Sequence, residues 1–223
     1  MSELLETVEV ATSDKVDYSI IWMHGLGADA NDFLPIVPEL KLPVGVGVRF
    51  VFPNAPIRPI TINNGMAMRG WFDILELGRI DRRDDEAGLR ESQAAIEALI
   101  KRENERGIDS QHIFLAGFSQ GCAMTLMTGL RYPEPLAGLI CLSGFLPLNA
   151  TTATEASEAN RNVPIFMAHG EYDPVLPLAL GEFSRAALEA LGYQVEWHTY
   201  PMAHQVCGEE VQDLNIFLNQ HLK

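Results

Sequence analysis

Ile113-Phe114-Leu115-Ala116-Gly117-Phe118-Ser119-Gln120-Gly121-Cys122-Ala123 is the stretch from which the rest of the chain is read. An apolar run suited to a buried strand meets Gly-x-Ser-x-Gly, and a helix-compatible segment, Cys122 to Leu130, follows at once. This layout predicts a nucleophile elbow, a strand-to-helix turn too tight for a Cβ on either side of the serine. Glycines at 117 and 121 let strand and helix backbones pass closely. Ser119 is then expected at the apex, in strained φ/ψ, with its hydroxyl exposed above the sheet.

A chain of 223 residues with 47% hydrophobic and 21% charged residues is globular and long enough to bury a real core. A single domain over residues 1–223 is the expectation for an α/β chain of this size. Sixteen basic against 30 acidic residues give a formal charge of −14. That balance argues against nucleic acid as a partner and against electrostatic docking on anionic membranes. No apolar stretch approaches the roughly 18 residues that span a bilayer, so stable membrane insertion is not expected. Met1-Ser2-Glu3-Leu4-Leu5-Glu6 carries acids where a signal peptide needs a basic region. The three cysteines, Cys122, Cys141 and Cys207, form no CxxC, and two sit in apolar segments. A reducing cytoplasm is the expected location.

Working outward from the elbow, Asp17 to His24 and Val46 to Phe52 read as buried strands, and Val8 to Val10 as a short edge strand. Phe33 to Leu40 reads as a short helix interrupted by Pro35 and Pro38. Residues 57–78 show no clear periodicity, with Asn63-Asn64-Gly65 as a turn signal and Met66, Met68, Trp71, Phe72 and Leu75 as an apolar cluster. Irregular stretches of that length are often functional. Asp84 to Arg106 has helical spacing and stops at Gly107. Beyond the elbow, strands are expected at Gly138 to Leu142, Val163 to Ala168 and Val195 to Tyr200. Helices are expected at Leu178 to Leu191 and Gly208 to Leu222, and a polar loop at Asn149 to Asn162. Strands alternating with helices imply parallel pairing through right-handed crossovers. The expected fold is therefore α/β, a doubly wound, mostly parallel sheet with helices on both faces and no large cap domain.

A serine hydroxyl needs a base in hydrogen-bond reach, and the base needs an orienting carboxylate. On such a scaffold the chain order is Ser, acid, His, each in a loop after a strand. Downstream of Ser119, Asp173 lies directly past a strand, in His169-Gly170-Glu171-Tyr172-Asp173-Pro174, whereas Asp213 lies within the last helix. Glu171 is a weaker competitor. His204, in Pro201-Met202-Ala203-His204, sits between the last strand and the last helix. His198 falls inside a strand, His221 falls in the last three residues, where chains fray, and His112 precedes the serine. For the oxyanion, the Gln120 N–H at the start of a helix is one donor, and the Leu26 N–H in His24-Gly25-Leu26-Gly27 is the other candidate. His24 is expected to brace that loop. Ordinary structural readings stand beside these: a glycine turn, a half-exposed strand histidine, a solvated helix face. His198, His204 and Cys207 match no metal-ligand spacing, no phosphate loop is present, and Cys207 lacks an elbow as a rival nucleophile.

With those residues in place the chain resembles the acyl-protein thioesterase / carboxylesterase (phospholipase/carboxylesterase) family of α/β-hydrolases. The likeness is carried by His24-Gly25-Leu26-Gly27-Ala28-Asp29, Phe52-Pro53-Asn54-Ala55-Pro56, Gly70-Trp71-Phe72-Asp73-Ile74, Gly117-Phe118-Ser119-Gln120-Gly121, Leu142-Ser143-Gly144-Phe145-Leu146-Pro147, His169-Gly170 with Asp173-Pro174-Val175-Leu176-Pro177, and His204. The resemblance implies Ser119, Asp173 and His204 as triad, and the Leu26 and Gln120 amides as oxyanion hole. It also implies an acyl pocket lined by Trp71, Leu75, Phe145, Val175 and Leu176. No metal or organic cofactor is implied; the implied substrate is a small ester or thioester, or an acylated molecule. Lysophospholipid hydrolysis stays open, as does a homodimer. A non-catalytic binding module on the same fold is the rival from a different class, and an ordered triad argues against it. Two departures bear on acyl length: Phe145 stands where relatives often carry Trp, and Met66-Ala67-Met68-Arg69 precedes Gly70. Cys122 replaces a glycine that often follows the elbow and is expected to pack as a small residue.

Overall fold

The computed structural model describes residues 4–76 and 78–223. Seven strands form one sheet: β1 (Thr7–Ala11), β2 (Tyr18–Met23), β3 (Val48–Pro53), β6 (Ile113–Phe118), β7 (Gly138–Leu142), β8 (Ile165–Gly170) and β9 (Val195–Tyr200). Their order is β1-β3-β2-β6-β7-β8-β9. β1 pairs antiparallel with β3, and every other neighbour is parallel. The remaining two strands, β4 (Ile57–Ile60) and β5 (Met66–Arg69), form a separate antiparallel hairpin.

Alternation along the central strands explains the layers. Ile21 and Met23 of β2, with Ile113 and Leu115 of β6, face α1 (Glu86–Glu105), α2 (Gln120–Gly129) and α4 (Leu178–Ala190). Tyr18, Ile20 and Trp22 of β2, with Phe114 and Ala116 of β6, face the other way, onto α5 (Gly208–His221) and the 3₁₀ turn Leu34–Glu39. Strands buried on both faces read as continuous apolar runs, which is why these segments stand out in the sequence. Glu103 ties α1 to the sheet: it is fully buried and accepts from Ser19 Oγ at 2.7 Å, Arg49 at 2.8 Å and Arg106 at 2.8 Å. Burial alone would raise its carboxyl, but these donors hold it below the usual glutamate value.

Three local expectations need correction. The irregular stretch 57–78 contains the β4–β5 hairpin, turned by Asn64 (φ 55°) and Gly65 (φ 75°). Leu77 lies outside the described residues. The polar segment after β7 contains α3 (Asn149–Glu155) and a 3₁₀ turn at Glu158–Asn160. The Phe33 to Leu40 segment is 3₁₀, because Pro35 and Pro38 withhold the amides an α-helix needs. His221, in the last three residues, closes α5 and packs its ring on Phe217 at 4.6 Å.

Candidate active site

Ser119 follows β6 directly, with φ 57° and ψ −116°. A Cβ on Gly117 would sit 2.2 Å from the Gly121 backbone, and one on Gly121 2.1 Å from the Met23 carbonyl. The turn therefore closes only because both positions lack side chains. The helix begins at Gln120, two residues earlier than its sequence pattern, which makes Gln120 its first residue. Cys122 is fully buried and packs against Gly144, where a Cβ would lie 2.4 Å from that of Cys122.

Asp173 lies three residues past β8 and His204 four past β9, two strands that run in parallel register with Gly170 opposite Tyr200. The two loops are bonded to each other: Glu171 N–H donates to Tyr200 O at 2.9 Å and Tyr172 N–H to Met202 O at 3.0 Å. A continuous hydrogen-bonded chain results. His204 Nε2 is 2.9 Å from Ser119 Oγ, and His204 Nδ1 is 2.6 Å from Asp173 Oδ2. The other Asp173 oxygen, Oδ1, accepts from the Val175 and Leu176 amides at 2.8 Å each. His169 backs this loop: its Nε2–H donates to Leu176 O at 2.7 Å, and burial lowers its basicity. The sequence flagged His169 only as part of a motif.

Leu26 and Gln120 flank the serine, and among the described residues neither N–H donates to another backbone group. The Leu26 loop is braced by His24, as expected. Its Nε2 accepts from Ala55 N–H at 3.0 Å, which leaves Nδ1–H to donate to Gly25 O at 2.7 Å. Burial keeps that imidazole neutral by lowering its pKa.

Beside the serine lies a cavity of about 320 Å³, walled by Leu26, Ile62, Ile74, Phe118, Phe145, Val175 and Leu176, with Ser119, Gln120 and His204 at its base. Of the residues expected on this wall, Phe145, Val175 and Leu176 are there. Trp71 and Leu75 are not: Trp71 is fully buried in the core with its indole N–H bonded to His24 O at 2.9 Å, and Ile74 occupies the wall in place of Leu75. Ile62 and Asn63, at the hairpin tip, also line the cavity. Only recognition of the hairpin could have brought them there. Phe145 is fixed by the Arg82 guanidinium, 3.6 Å above its ring, and by an edge contact with Phe72.

Cys207 precedes α5 and is half-buried; burial raises its thiol pKa, which disfavours the thiolate a cysteine nucleophile needs. One turn on, Glu210 is wholly buried, with neither carboxyl oxygen hydrogen-bonded among the described residues. Burial pushes its pKa up to about 8, and the nearby Cys207 N–H, short of a full hydrogen bond, offsets this only in part. The ordinary value is 4.5, so the folded state holds a proton that the unfolded state has released over this interval. Stability is therefore full below about pH 4.5 and falls as pH rises through about 8, by an amount on the order of a few kcal/mol. Glu210→Gln should raise the melting temperature at pH 9 by roughly 5–10 °C and change it little at pH 5. Parallel melting curves for the two proteins across that range would refute the buried, protonated carboxyl.

Against known proteins, the profile of the phospholipase/carboxylesterase family matches residues 6–222. The chain belongs to this family. It is 41% identical over 216 residues to a protein named acyl-protein thioesterase 1 from Mycosarcoma maydis, covering 91% of this chain and 90% of that one. It is 39% identical to one of the same name from Gibberella zeae, covering 92% and 90%. Among solved structures, Arabidopsis thaliana SOBER1 superposes with a TM-score of 0.88 at 30% identity over 93% of this chain and all of that one. Zea mays acyl-protein thioesterase 2 gives 0.86 at 27% identity, over 98% and 99%. The doubly wound sheet is thus an α/β-hydrolase fold, and this member of the phospholipase/carboxylesterase family is an esterase-type enzyme. No helix among the described residues is long and apolar enough to cross a membrane.

Proposed function

We propose that the chain is a cytoplasmic serine hydrolase of one domain that cleaves acyl thioesters or carboxylic esters through an acyl-enzyme on Ser119. The observation that carries this reading is the unbroken chain from Ser119 Oγ through His204 to Asp173, set at the base of an apolar cavity. His204 Nε2 accepts the Ser119 proton as Oγ attacks the acyl carbonyl, and Asp173 holds the imidazole and offsets its developing charge. The carbonyl oxygen, now negative, receives the Leu26 and Gln120 amides. His204 returns the proton to the departing alcohol or thiol. A water then loses its proton to His204 as it attacks the acyl carbonyl, and His204 passes that proton to Ser119 Oγ as the acid departs. The relatives named acyl-protein thioesterase favour a thioester leaving group, and the apolar wall suits an alkyl chain over a charged acyl group.

The test is a matched series of butanoyl, octanoyl and palmitoyl p-nitrophenyl esters and N-acetylcysteamine thioesters, with lysophosphatidylcholine alongside. Both ester and thioester series should be hydrolysed faster than the lysolipid. Faster lysolipid turnover would move the leaving group to a lysophospholipid, and a folded protein inert to all three classes would contradict the reading. Phe145→Trp enlarges a side chain on the cavity wall. It should lower kcat/KM for octanoyl relative to butanoyl esters by roughly 10-fold, the scale on which a pocket senses one or two methylenes. An unchanged ratio would place the acyl chain elsewhere.

A further inference from the structure

We infer that Trp71, although it touches no substrate, is the positioning residue of the oxyanion hole. The inference rests on the proposed roles of the Leu26 and Gln120 amides. Those two donors come from segments 94 residues apart, one after β2 and one after β6. A hole of this kind works only if both N–H groups are held at a fixed separation before charge develops.

Trp71 reaches both segments. Its indole Nε1–H donates to the His24 carbonyl at 2.9 Å, at the root of the loop that presents Leu26. Its backbone N–H donates to Gln120 Oε1 at 2.8 Å, on the residue whose own N–H is the other donor. The Gln120 amide group then turns back, donating from Nε2 to Phe72 O at 2.7 Å, so elbow and Trp71-Phe72 segment are joined twice. The clamp is itself anchored. Ser92 Oγ of α1 donates to the Trp71 carbonyl, and Gly27 N–H donates to Arg69 O at 2.8 Å on the far side of the Leu26 loop. His24, Phe72, Ser92 and Gln120 are all buried around an indole with no exposed surface, where hydrogen bonds are short of competing water. A tryptophan present only to fill the core would need one partner for its indole N–H. Here the indole and the main-chain amide of one residue are each committed to a different half of the hole.

Trp71→Phe keeps an aromatic ring in the core and the main-chain bond to Gln120, but it leaves His24 O without the indole donor. A shift of the Leu26 loop by a fraction of an ångström to 1 Å weakens the transition state while leaving ester binding nearly intact. The expected result is a kcat on a short p-nitrophenyl ester lowered roughly 10- to 100-fold, with KM changed by less than about threefold. The Ki of a matching trifluoromethyl ketone, whose adduct with Ser119 places an oxyanion in the hole, should rise by the same factor as kcat/KM falls. The Ki of the corresponding methyl ketone should not move. Gln120→Met, which retains the Gln120 N–H and the indole but cuts both side-chain bonds to residues 71 and 72, should show the same pattern. It carries the test alone if Trp71→Phe does not fold. An undiminished kcat in both variants, or a loss of kcat with an unchanged trifluoromethyl ketone Ki, overturns the positioning role while the serine hydrolase reading stands. A wild-type protein that neither hydrolyses the ester nor binds the fluoroketone sinks the hydrolase reading and the inference together.

Discussion

Asp173→Asn should lower kcat/KM by roughly 10⁴-fold with little change in fold, the size of loss seen when a triad imidazole is held in the wrong tautomer. The direction of that error follows from the acid loop. Asp173 Oδ1 accepts two main-chain N–H groups, from Val175 and Leu176, at 2.8 Å each. An asparagine can satisfy both only with its carbonyl oxygen, because its NH₂ would face two donors. The NH₂ is then turned toward His204 Nδ1, at the position where Oδ2 lies 2.6 Å away in the wild type. Nδ1 must become the acceptor, the proton moves to Nε2, and the imidazole presents a donor to Ser119 Oγ. The base is lost without moving an atom of the backbone. Steady-state kinetics beside a thermal melt read this out; a loss under about 10-fold would mean that Asp173 does not orient the base.

Ser119→Ala should remove nearly all turnover, by roughly 10⁶-fold in kcat, leaving only what the hole and binding supply. Ser119→Gly should be as inactive, yet more stable than wild type by about 1 kcal/mol. Ser119 holds φ at 57°, a region where a Cβ is unfavourable, and among the described residues its side chain hydrogen-bonds to His204 alone. Glycine relieves that strain, so stability and activity are expected to move in opposite directions. An ordinary turn serine would show no such opposition. Unchanged hydrolysis in Ser119→Ala, or a Ser119→Gly protein less stable than wild type, would count against a strained nucleophile.

The parts of this molecule that could be read from sequence are those where local chemistry and tertiary placement agree. The central strands are apolar on both faces, Gly117 and Gly121 have no freedom to be anything larger, and Ser119, Asp173 and His204 fall in order after β6, β8 and β9. α3 was hidden because Asn149–Glu155 is rich in Thr and its support is distant: Glu155 pairs with Arg131 at 2.7 Å and Arg90 at 2.6 Å, and the Arg90 guanidinium brings its pKa down to about 2. The β4–β5 hairpin was hidden because Pro59 interrupts a four-residue strand; it is fastened instead by Asp73, which accepts from Thr61 N–H at 2.7 Å. The family resemblance implies Trp71 on the acyl wall, whereas its side chain is fully buried in the core. No pattern in a single chain says which way an indole points, and its two bonds go to residues 47 and 49 positions away.

Intact-protein mass spectrometry after exposure to a fluorophosphonate tests the nucleophile most directly. A single adduct is expected, mapped to the peptide containing Ser119 and absent from Ser119→Ala. A folded wild-type protein that takes no adduct, or one that carries it on Cys207 or any residue other than Ser119, would contradict the account.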